Sequence, residues 1–455
     1  MDETSFKVSI HQTETVTGKR ATSHKVRWSV AGQRRKRPFK TAALADSFRA
    51  ELVAAARKGE AFRTSDGLPV SMGRAQNDMG FYDFACAFVD MKWGRAAATT
   101  RRTHAEAMTA VTVAMLVDRG GRPDAKLIRS ALTRWGFNTV RRDHDVPQEV
   151  AATLRWVKEH TRKVSALRDP EILRSVLDSL ARKLDGTSAA PTVENRRRRI
   201  LITAMGYAVE KKILDSNPIP ALKWTPPKSS HVVDRRRVVN PMQARTLLNA
   251  VRSQQRTGRR LVAFFGCLYF AALRPEEAVN LGEDNLDLPA EGWGDLHLER
   301  VTPYAGKEWT DSGLNRDERQ LKHRAVGEWR TVPSPPELTA MLHEHLRAFG
   351  TAPDGRLFRG ERNADELPKL TILRTWQRAR ARAFTEEVAA SNLAKTPYDL
   401  RHAAVSTFLN GGIPPTTVAE WAGQSVEVLL AIYAKCLDGT DAAIRAHVQH
   451  VLGWQ

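Results

Sequence analysis

Between residues 396 and 433 the chain carries polar side chains that could act together on a phosphate ester. The helical pattern of this stretch accounts for its apolar residues and leaves a polar set, namely Tyr398, Arg401, His402, Gln424 and Tyr433. A buried or half-buried guanidinium so near a tyrosine hydroxyl calls for an anion between the two groups. A phosphodiester is the anion that fits best, because a phenol can attack phosphorus while an arginine neutralises its oxygens.

Three short helices must position these groups, and Pro and Gly residues mark their ends. The predicted boundaries are an N-cap at Asp399 and a stop at Gly411-Gly412, a start at Pro414-Pro415 and a stop at Gly423, and an N-cap at Ser425. Tyr433 then falls near the end of the third helix. The sequence therefore predicts that the polar groups gather at helix ends.

The order and spacing of these residues resemble the catalytic end of the tyrosine recombinases, the phage integrase family. In that family a residue that is usually His lies three places before an Arg, and a short Gly-containing turn follows. The nucleophilic Tyr comes about nine residues after that turn. Tyr398, Arg401, the turn at 423–425 and Tyr433 have this spacing. The resemblance implies a site-specific recombinase that cuts and rejoins double-stranded DNA through a 3′-phosphotyrosyl intermediate at Tyr433, without metal, ATP or another cofactor.

Two further catalytic candidates lie upstream. Arg274 lies between two predicted helices beside the apolar run 260–272, an unusual place for an unpaired charge. The family's first arginine motif is similar, with a Glu at the place of Glu277 that helps hold the arginine; a plain Arg274–Glu277 ion pair is equally consistent with the sequence.

The family also carries a catalytic lysine in a hairpin before a strand such as 330–333. Lys322 is the candidate here, with Lys307 as runner-up.

By this resemblance Tyr433 attacks phosphorus, Arg274 and Arg401 hold the phosphate oxygens, and Lys322 protonates the leaving 5′ oxygen. Two positions depart from the family pattern. Tyr398 stands where His is usual, and Gln424 stands where His or Trp is usual. Both can donate hydrogen bonds, but neither is a useful base at neutral pH. The attacking phenol is then left without an obvious base, for which His402 is a further candidate.

Composition supports a nucleic-acid partner. The 455 residues include 71 Lys and Arg against 51 Asp and Glu, a net charge of +20. A pI of about 10.2 favours DNA over a membrane surface. The three cysteines (Cys86, Cys267 and Cys436) form no disulfide or zinc pattern. With no signal peptide or apolar span, we expect a cytoplasmic, nucleoid-associated protein.

The chain is expected to be mainly α with small β-sheets, an α+β class. The predicted division is an arm-type-like DNA-binding module of a small sheet plus helix (1–60), a linker (61–79), a helical core-binding domain (80–214), a basic Pro-rich linker (215–240) and a mixed α/β catalytic domain (241–455). The names of the three domains come from the family resemblance. Basic clusters in the non-catalytic parts are the DNA-binding candidates: Arg34, Arg35, Lys36 and Arg37 in a predicted turn, Arg101 and Arg102 exposed at a helix start, Arg196 and Arg197 within a helix, and Arg235, Arg236 and Arg237.

Other functions remain open at this stage. A non-catalytic DNA-binding relative would use the same basic surfaces, and a topoisomerase-like enzyme would nick and close one strand with similar chemistry. A metal-dependent nuclease is disfavoured, because His343 and His345 fit an amphipathic helix and no carboxylate cluster accompanies them. The family resemblance implies a homotetramer on DNA, with accessory DNA-bending or directionality factors as further partners.

Overall fold

The computed structural model describes residues 3–17, 22–117, 120–183, 187–227, 232–321, 327–361, 366–433 and 441–453. Helices predominate and several small antiparallel sheets accompany them, so the predicted α+β class is confirmed. The chain divides into two units, residues 1–228 and 229–455. No helix among the described residues combines the length and the apolar character needed to cross a bilayer.

The first unit opens with a small sheet and one helix. Its elements are β1 (Thr4–Ser5), β2 (Val8–Ile10), β3 (Glu14–Thr17), β4 (Thr22–Val30), β5 (Gln33–Phe39), α1 (Ala42–Arg57) and β6 (Phe62–Arg63). Strand β4 is central: β2 and β3 pair with successive parts of one edge, and β5 pairs with the other. Val26, Trp28 and Val30 alternate along β4 and are buried against α1. The predicted sheet and helix are present.

The turn between β4 and β5 differs from the prediction. The basic run 34–37 was expected to form the turn, but it lies on β5. The turn is Ala31-Gly32, whose φ angles of 50° and 83° are both positive. A two-residue loop with this geometry matches the twist of its flanking strands and leaves the basic residues extended.

Helices form the rest of the first unit. They are α2 (Val70–Asn77), α3 (Phe81–Trp93), α4 (Ala98–Ala114), α5 (Ala125–Ala131), α6 (Gln148–His160), α7 (Pro170–Leu180) and α8 (Pro191–Glu210). The stretch 61–79, predicted as a linker, holds β6 and α2, and its Phe62 and Leu68 are buried in the core beneath the sheet. The domain boundaries themselves stay predictions.

The second unit contains the predicted site. Its helices are α9 (Pro241–Arg252), α10 (Thr257–Phe270), α11 (Pro275–Asn280), α12 (Pro336–Phe349), α13 (Lys369–Ala383), α14 (Glu386–Ala390), α15 (Tyr398–Asn410), α16 (Pro415–Ala422), α17 (Val426–Tyr433) and α18 (Asp441–Val451). Its strands are β7 (Leu286–Asp287), β8 (Gly294–Leu298), β9 (Arg300–Val301), β10 (Arg319–Gln320) and β11 (Arg330–Ser334). The apolar α10 lies at the centre, packed against α9, α12 and α15.

The three helices predicted for 396–433 are α15, α16 and α17, and Gly423 ends α16 in the left-handed conformation with φ 60°. One detail was wrong. Asp399 is not the N-cap, because α15 begins one residue earlier. The Asp399 carboxylate is fully buried and accepts hydrogen bonds from the Thr396 backbone N–H (2.7 Å) and hydroxyl (3.0 Å). It thus closes the turn that leads into the helix.

Candidate active site

A buried carboxylate, Glu277, gathers three arginines. It accepts hydrogen bonds from the Arg274 backbone N–H (2.8 Å) and from Arg274 Nη1 (2.6 Å). Arg330 Nη2 lies 2.8 Å from its Oε2, and Arg401 Nη1 lies 4.0 Å away. Burial alone would raise the pKa of Glu277, but Arg330, Arg274 and Arg401 together lower it to about 2. Glu277 is therefore ionised and fixes the three guanidinium groups around one point.

Backbone carbonyls hold two of these arginines further. Arg274 Nη2 donates to the Gly423 carbonyl (2.6 Å), and Arg401 Nη2 donates to the adjacent Ala422 carbonyl (2.5 Å). Arg401 Nη1 also donates to the carbonyl of Ala272. Arginines from two distant parts of the sequence thus meet at the C-terminal end of α16.

Gly423 is required at this meeting point for steric reasons. A Cβ there would lie 1.9 Å from Arg330 Nη1 and 3.2 Å from Arg274 Nη1. Its left-handed backbone is also one that side chains with a Cβ rarely adopt. The close approach of backbone and guanidinium groups therefore depends on a residue with no side chain.

The cluster carries excess positive charge in a buried setting. Arg330 and Arg401 are 2% and 1% exposed, and Arg274, at 18% side-chain exposure, is the most accessible of the three. Burial lowers the pKa of Arg330, whereas at Arg274 the attraction of Glu277 outweighs burial and the pKa is raised. Among the described residues Arg330 Nε, Arg401 Nε and Gln424 Nε2 are buried without a hydrogen-bond acceptor. Three guanidinium groups facing one carboxylate, with spare donors, can attract an anion.

Tyr433 adjoins this cluster through His402. Tyr433 ends α17 and is 2% exposed, and its hydroxyl oxygen lies 2.8 Å from His402 Nδ1. The ring of Tyr398 packs edge-on against His402 at 5.0 Å and lies 5.9 Å from the Arg401 guanidinium carbon. Burial, with Arg401 and Arg237, lowers the pKa of His402 to about 4, against the opposing effect of Asp399. His402 is therefore neutral at physiological pH.

The structure brings together Arg274, Tyr398 and Arg401, and Tyr433 contacts His402 next to Arg401. Gln424 follows Gly423, whose carbonyl accepts from Arg274. Lys322 lies outside the described residues. The runner-up, Lys307, borders a cavity of about 930 Å³ with Thr257 and Arg260 at the start of α10, whereas Arg274 follows the end of that helix. The catalytic roles of all these residues stay predictions.

One predicted DNA-binding pair is partly buried. Arg101 was expected to be exposed, but it is only 3% exposed. Its Nε donates to the Trp93 carbonyl (3.0 Å), and its guanidinium carbon lies 4.8 Å from the Trp93 ring centre. A guanidinium over an indole face satisfies both charge and packing, which explains why the residue faces inward. Arg102 lies on the surface 3.7 Å from Glu106.

Arginines 196–199 on α8 are partly exposed and partly packed against neighbouring residues, because consecutive residues of a helix face different sides. Arg197 Nη1 donates to the Leu180 and Arg182 carbonyls at the end of α7 (3.0 and 2.8 Å). Arg198 lies 4.4 Å from the Trp224 ring centre. Arg196 and Arg199 are exposed.

The basic run 235–237 forms a short 3₁₀ turn in the second unit. Arg236 pairs with Asp234 on the surface at 2.8 Å. Arg237 Nη2 lies 3.0 Å from Asp399 Oδ1, a carboxylate with no exposed side-chain surface. Arg237 therefore anchors the start of α15 at Asp399, two residues before Arg401. Arg235 lies on the same turn and lines a surface pocket.

On β5 the basic residues alternate between faces. Arg34 and Lys36 pair with Ser29 and Arg27 of β4 on the face away from α1. Arg37 lies on the other face with its guanidinium 5.0 Å from the Phe48 ring centre, and half-buried Arg35 donates to the Thr64 carbonyl (2.7 Å). The outer face of the sheet is therefore basic and exposed.

Sequence reasoning missed Arg330 as a site residue and used it only to locate a strand. Its side chain shares the inward face of β11 with Val332 and Ser334. An arginine at an inward position of an alternating strand is the signal that could have identified it. The Arg237–Asp399 pair was also missed, since nothing local links the two residues.

No protein-family model and no curated protein sequence matches the chain. Among solved structures, the chain is similar to a fragment of the Tn1549 transposon integrase in complex with transposon right-end DNA, at 15% identity and a TM-score of 0.50, covering 72% of this chain and 99% of that one. It is also similar to the XerH site-specific recombinase bound to difH, at 12% identity and a TM-score of 0.48, covering 81% of this chain and 94% of that one. A lambda integrase dimer bound to a core site is similar at 12% identity and a TM-score of 0.41, covering 66% of this chain and 75% of that one.

The fold assignment depends on the Tn1549 comparison, which reaches a TM-score of 0.50 over nearly the whole of that fragment. Within the second unit, Arg274 and Arg401 meet at Glu277, and Tyr433 contacts His402, the residue after Arg401. The chain has the fold of the tyrosine recombinases.

Proposed function

We propose that the chain is a site-specific DNA recombinase that breaks and rejoins strands through a phosphotyrosine at Tyr433. The observation that carries the proposal is the buried cluster in which Arg274, Arg330 and Arg401 surround the single carboxylate of Glu277. Such a cluster attracts a singly charged anion with several oxygens, and a DNA phosphodiester is the anion that a nearby phenol can use. The Tn1549 integrase of similar fold was solved on transposon-end DNA, which favours this choice of anion.

In the proposed reaction Tyr433 attacks phosphorus and the 5′ oxygen leaves. Arg274, the most accessible guanidinium, and Arg401 stabilise the charge on the non-bridging oxygens. Tyr398 and Gln424 donate hydrogen bonds to the same phosphate, and Lys322 protonates the leaving oxygen. Rejoining reverses these steps, since the phosphotyrosine conserves the energy of the broken bond. No metal or nucleotide takes part.

Tyr433 is buried in this structure, so DNA must gain access to its hydroxyl. It ends the eight-residue helix α17, which packs on α16. We therefore expect DNA binding to open a path to the phenol while its contact with His402 is kept.

The first unit is proposed to hold duplex DNA through sequence-independent phosphate contacts. Arg34 and Lys36 on the outer sheet face and exposed Arg196 on α8 are the strongest candidates. Arg101, Arg197 and Arg237 already bind backbone carbonyls or a buried carboxylate, which makes their proposed DNA contacts secondary. A homotetramer on two duplexes remains part of the proposal.

The test is a covalent protein–DNA adduct that survives denaturant, formed with nicked duplex fragments from the genome that encodes the chain. Tyr433→Phe and Arg401→Ala should abolish the adduct and leave DNA binding in place, whereas Tyr304→Phe, a matched change at a half-exposed tyrosine, should not. DNA binding with no adduct from the unaltered protein would indicate a non-catalytic relative. Supercoil relaxation with no recombinant product would indicate a topoisomerase-like enzyme.

A further inference from the structure

The proposed attack leaves one proton without a destination. The phenol of Tyr433 must lose its proton as its oxygen bonds to phosphorus, and a phenol and an amide, the side chains of Tyr398 and Gln424, are weak proton acceptors. We propose that His402 is the general base that takes this proton, an inference that rests on the proposed function.

Geometry supports this role. His402 Nδ1 lies 2.8 Å from the Tyr433 hydroxyl oxygen, which is within the range for direct proton transfer. The contact joins the fifth residue of α15 to the last residue of α17, so the helix that carries Arg401 also carries the base. The edge-on packing of Tyr398 at 5.0 Å limits rotation of the imidazole. In the tautomer protonated at Nε2, Nδ1 presents its lone pair to the hydroxyl.

The surroundings of His402 keep it in the form that accepts a proton. The groups that face it are Tyr398, Asp399 and Arg401 on its own helix, Arg237 on the 235–237 turn and Tyr433 on α17. Burial and the two arginines disfavour the imidazolium, and the pKa of about 4 leaves the ring neutral above pH 5. The Asp399 carboxylate acts in the opposite sense, and a bound phosphodiester adds further negative charge. The imidazolium formed during attack is thereby stabilised.

Tyr433 Oη forms a bond to phosphorus, the bond from phosphorus to the 5′ oxygen breaks, and the phenolic proton moves to His402 Nδ1. The leaving oxygen takes its proton from the general acid. On rejoining, a 5′ hydroxyl attacks phosphorus and gives its proton to the deprotonated general acid. The bond from phosphorus to Tyr433 Oη breaks, and the imidazolium returns its proton to the departing phenolate.

The experiment measures the rate of adduct formation on nicked duplex for the unaltered protein and for His402→Asn. Asparagine can accept a hydrogen bond from Tyr433 with its Oδ1 but cannot take the proton. We expect the rate at pH 7 to fall by about 10²–10⁴. The variant's rate should then rise by about tenfold per pH unit as long as the phenol stays protonated, because the rate now depends on the fraction of phenolate, while the unaltered rate does not. His343→Asn, a histidine that contacts the Pro289 carbonyl (2.9 Å), is the matched control.

Equal rates for His402→Asn and the unaltered protein would overturn the proposal, as would a fall that higher pH does not reverse. If the unaltered protein forms no adduct, the proposed function fails first and this inference with it. A second measurement does not depend on DNA: ¹⁵N NMR of histidine-labelled full chain should show His402 protonated at Nε2, with an Nδ1 signal that shifts in Tyr433→Phe. An Nδ1-protonated ring would also overturn the proposal.

Discussion

Replacing Glu277 with Gln should destabilise the second unit substantially. The carboxylate is fully buried and lies within 4.0 Å of three guanidinium groups, so the change leaves three buried cations without a counter-charge. The pKa of Glu277 falls from 4.5 to about 2, which corresponds to about 3 kcal/mol in favour of the folded protein at pH 7. Removing one partner of a buried ion pair typically costs about 3–5 kcal/mol, in agreement.

The assay is urea denaturation of the full chain, with hydrogen exchange of α10 and α15 reporting on the second unit. Because the folded pKa of Glu277 lies below its unfolded value, the stabilisation is present above pH 4.5 and is lost as pH falls toward 2. The difference between the unaltered protein and Glu277→Gln should therefore shrink to less than half by about pH 3.

The control is Glu337→Gln, the same chemical change at a surface ion pair. Glu337 lies 2.9 Å from Arg245, and both side chains are largely exposed, so its loss should cost less than about 1 kcal/mol. A cost for Glu277→Gln no larger than that of Glu337→Gln would refute the reasoning that Glu277 organises the cluster.

Three further outcomes are expected. Gly423→Ala should lower the free energy of unfolding by more than about 1 kcal/mol, because the new Cβ meets Arg330 Nη1 and the backbone is left-handed; thermal denaturation measures this. Arg401→Lys should reduce the rate of adduct formation by about 10²–10³, because an ammonium cannot reproduce the fork that spans two carbonyls, whereas the gel-shift affinity for DNA should change little. A double replacement of Arg34 and Lys36 by Gln should weaken DNA binding and lower the number of counterions released, read from the slope of log affinity against log salt concentration, by about one to two. The circular dichroism spectrum should not change.

Local signals predicted the fold of the site region well. Proline at helix starts and glycine at helix stops placed α15 to α17 within a residue or two, because capping depends on neighbours in sequence. The Arg274–Glu277 pair was equally legible, since residues three apart at a helix start face each other.

Long-range contacts were not legible in the same way. Arg101 lies over Trp93, and Arg237 meets Asp399, only because separate elements pack together. Charge alone predicted both residues as surface cations. Arg330 joined the site for the same reason: its strand position is local, but its partner Glu277 is set by tertiary structure.

The most direct measurement identifies the amino acid to which DNA becomes attached. Adduct formed on nicked duplex is digested with protease and nuclease, and the peptide that retains a nucleotide is sequenced by mass spectrometry. The account predicts attachment at Tyr433 through a 3′-phosphate, with a free 5′ hydroxyl on the released strand. Attachment at Tyr398 or at any other residue, or through a 5′-phosphate, would contradict it.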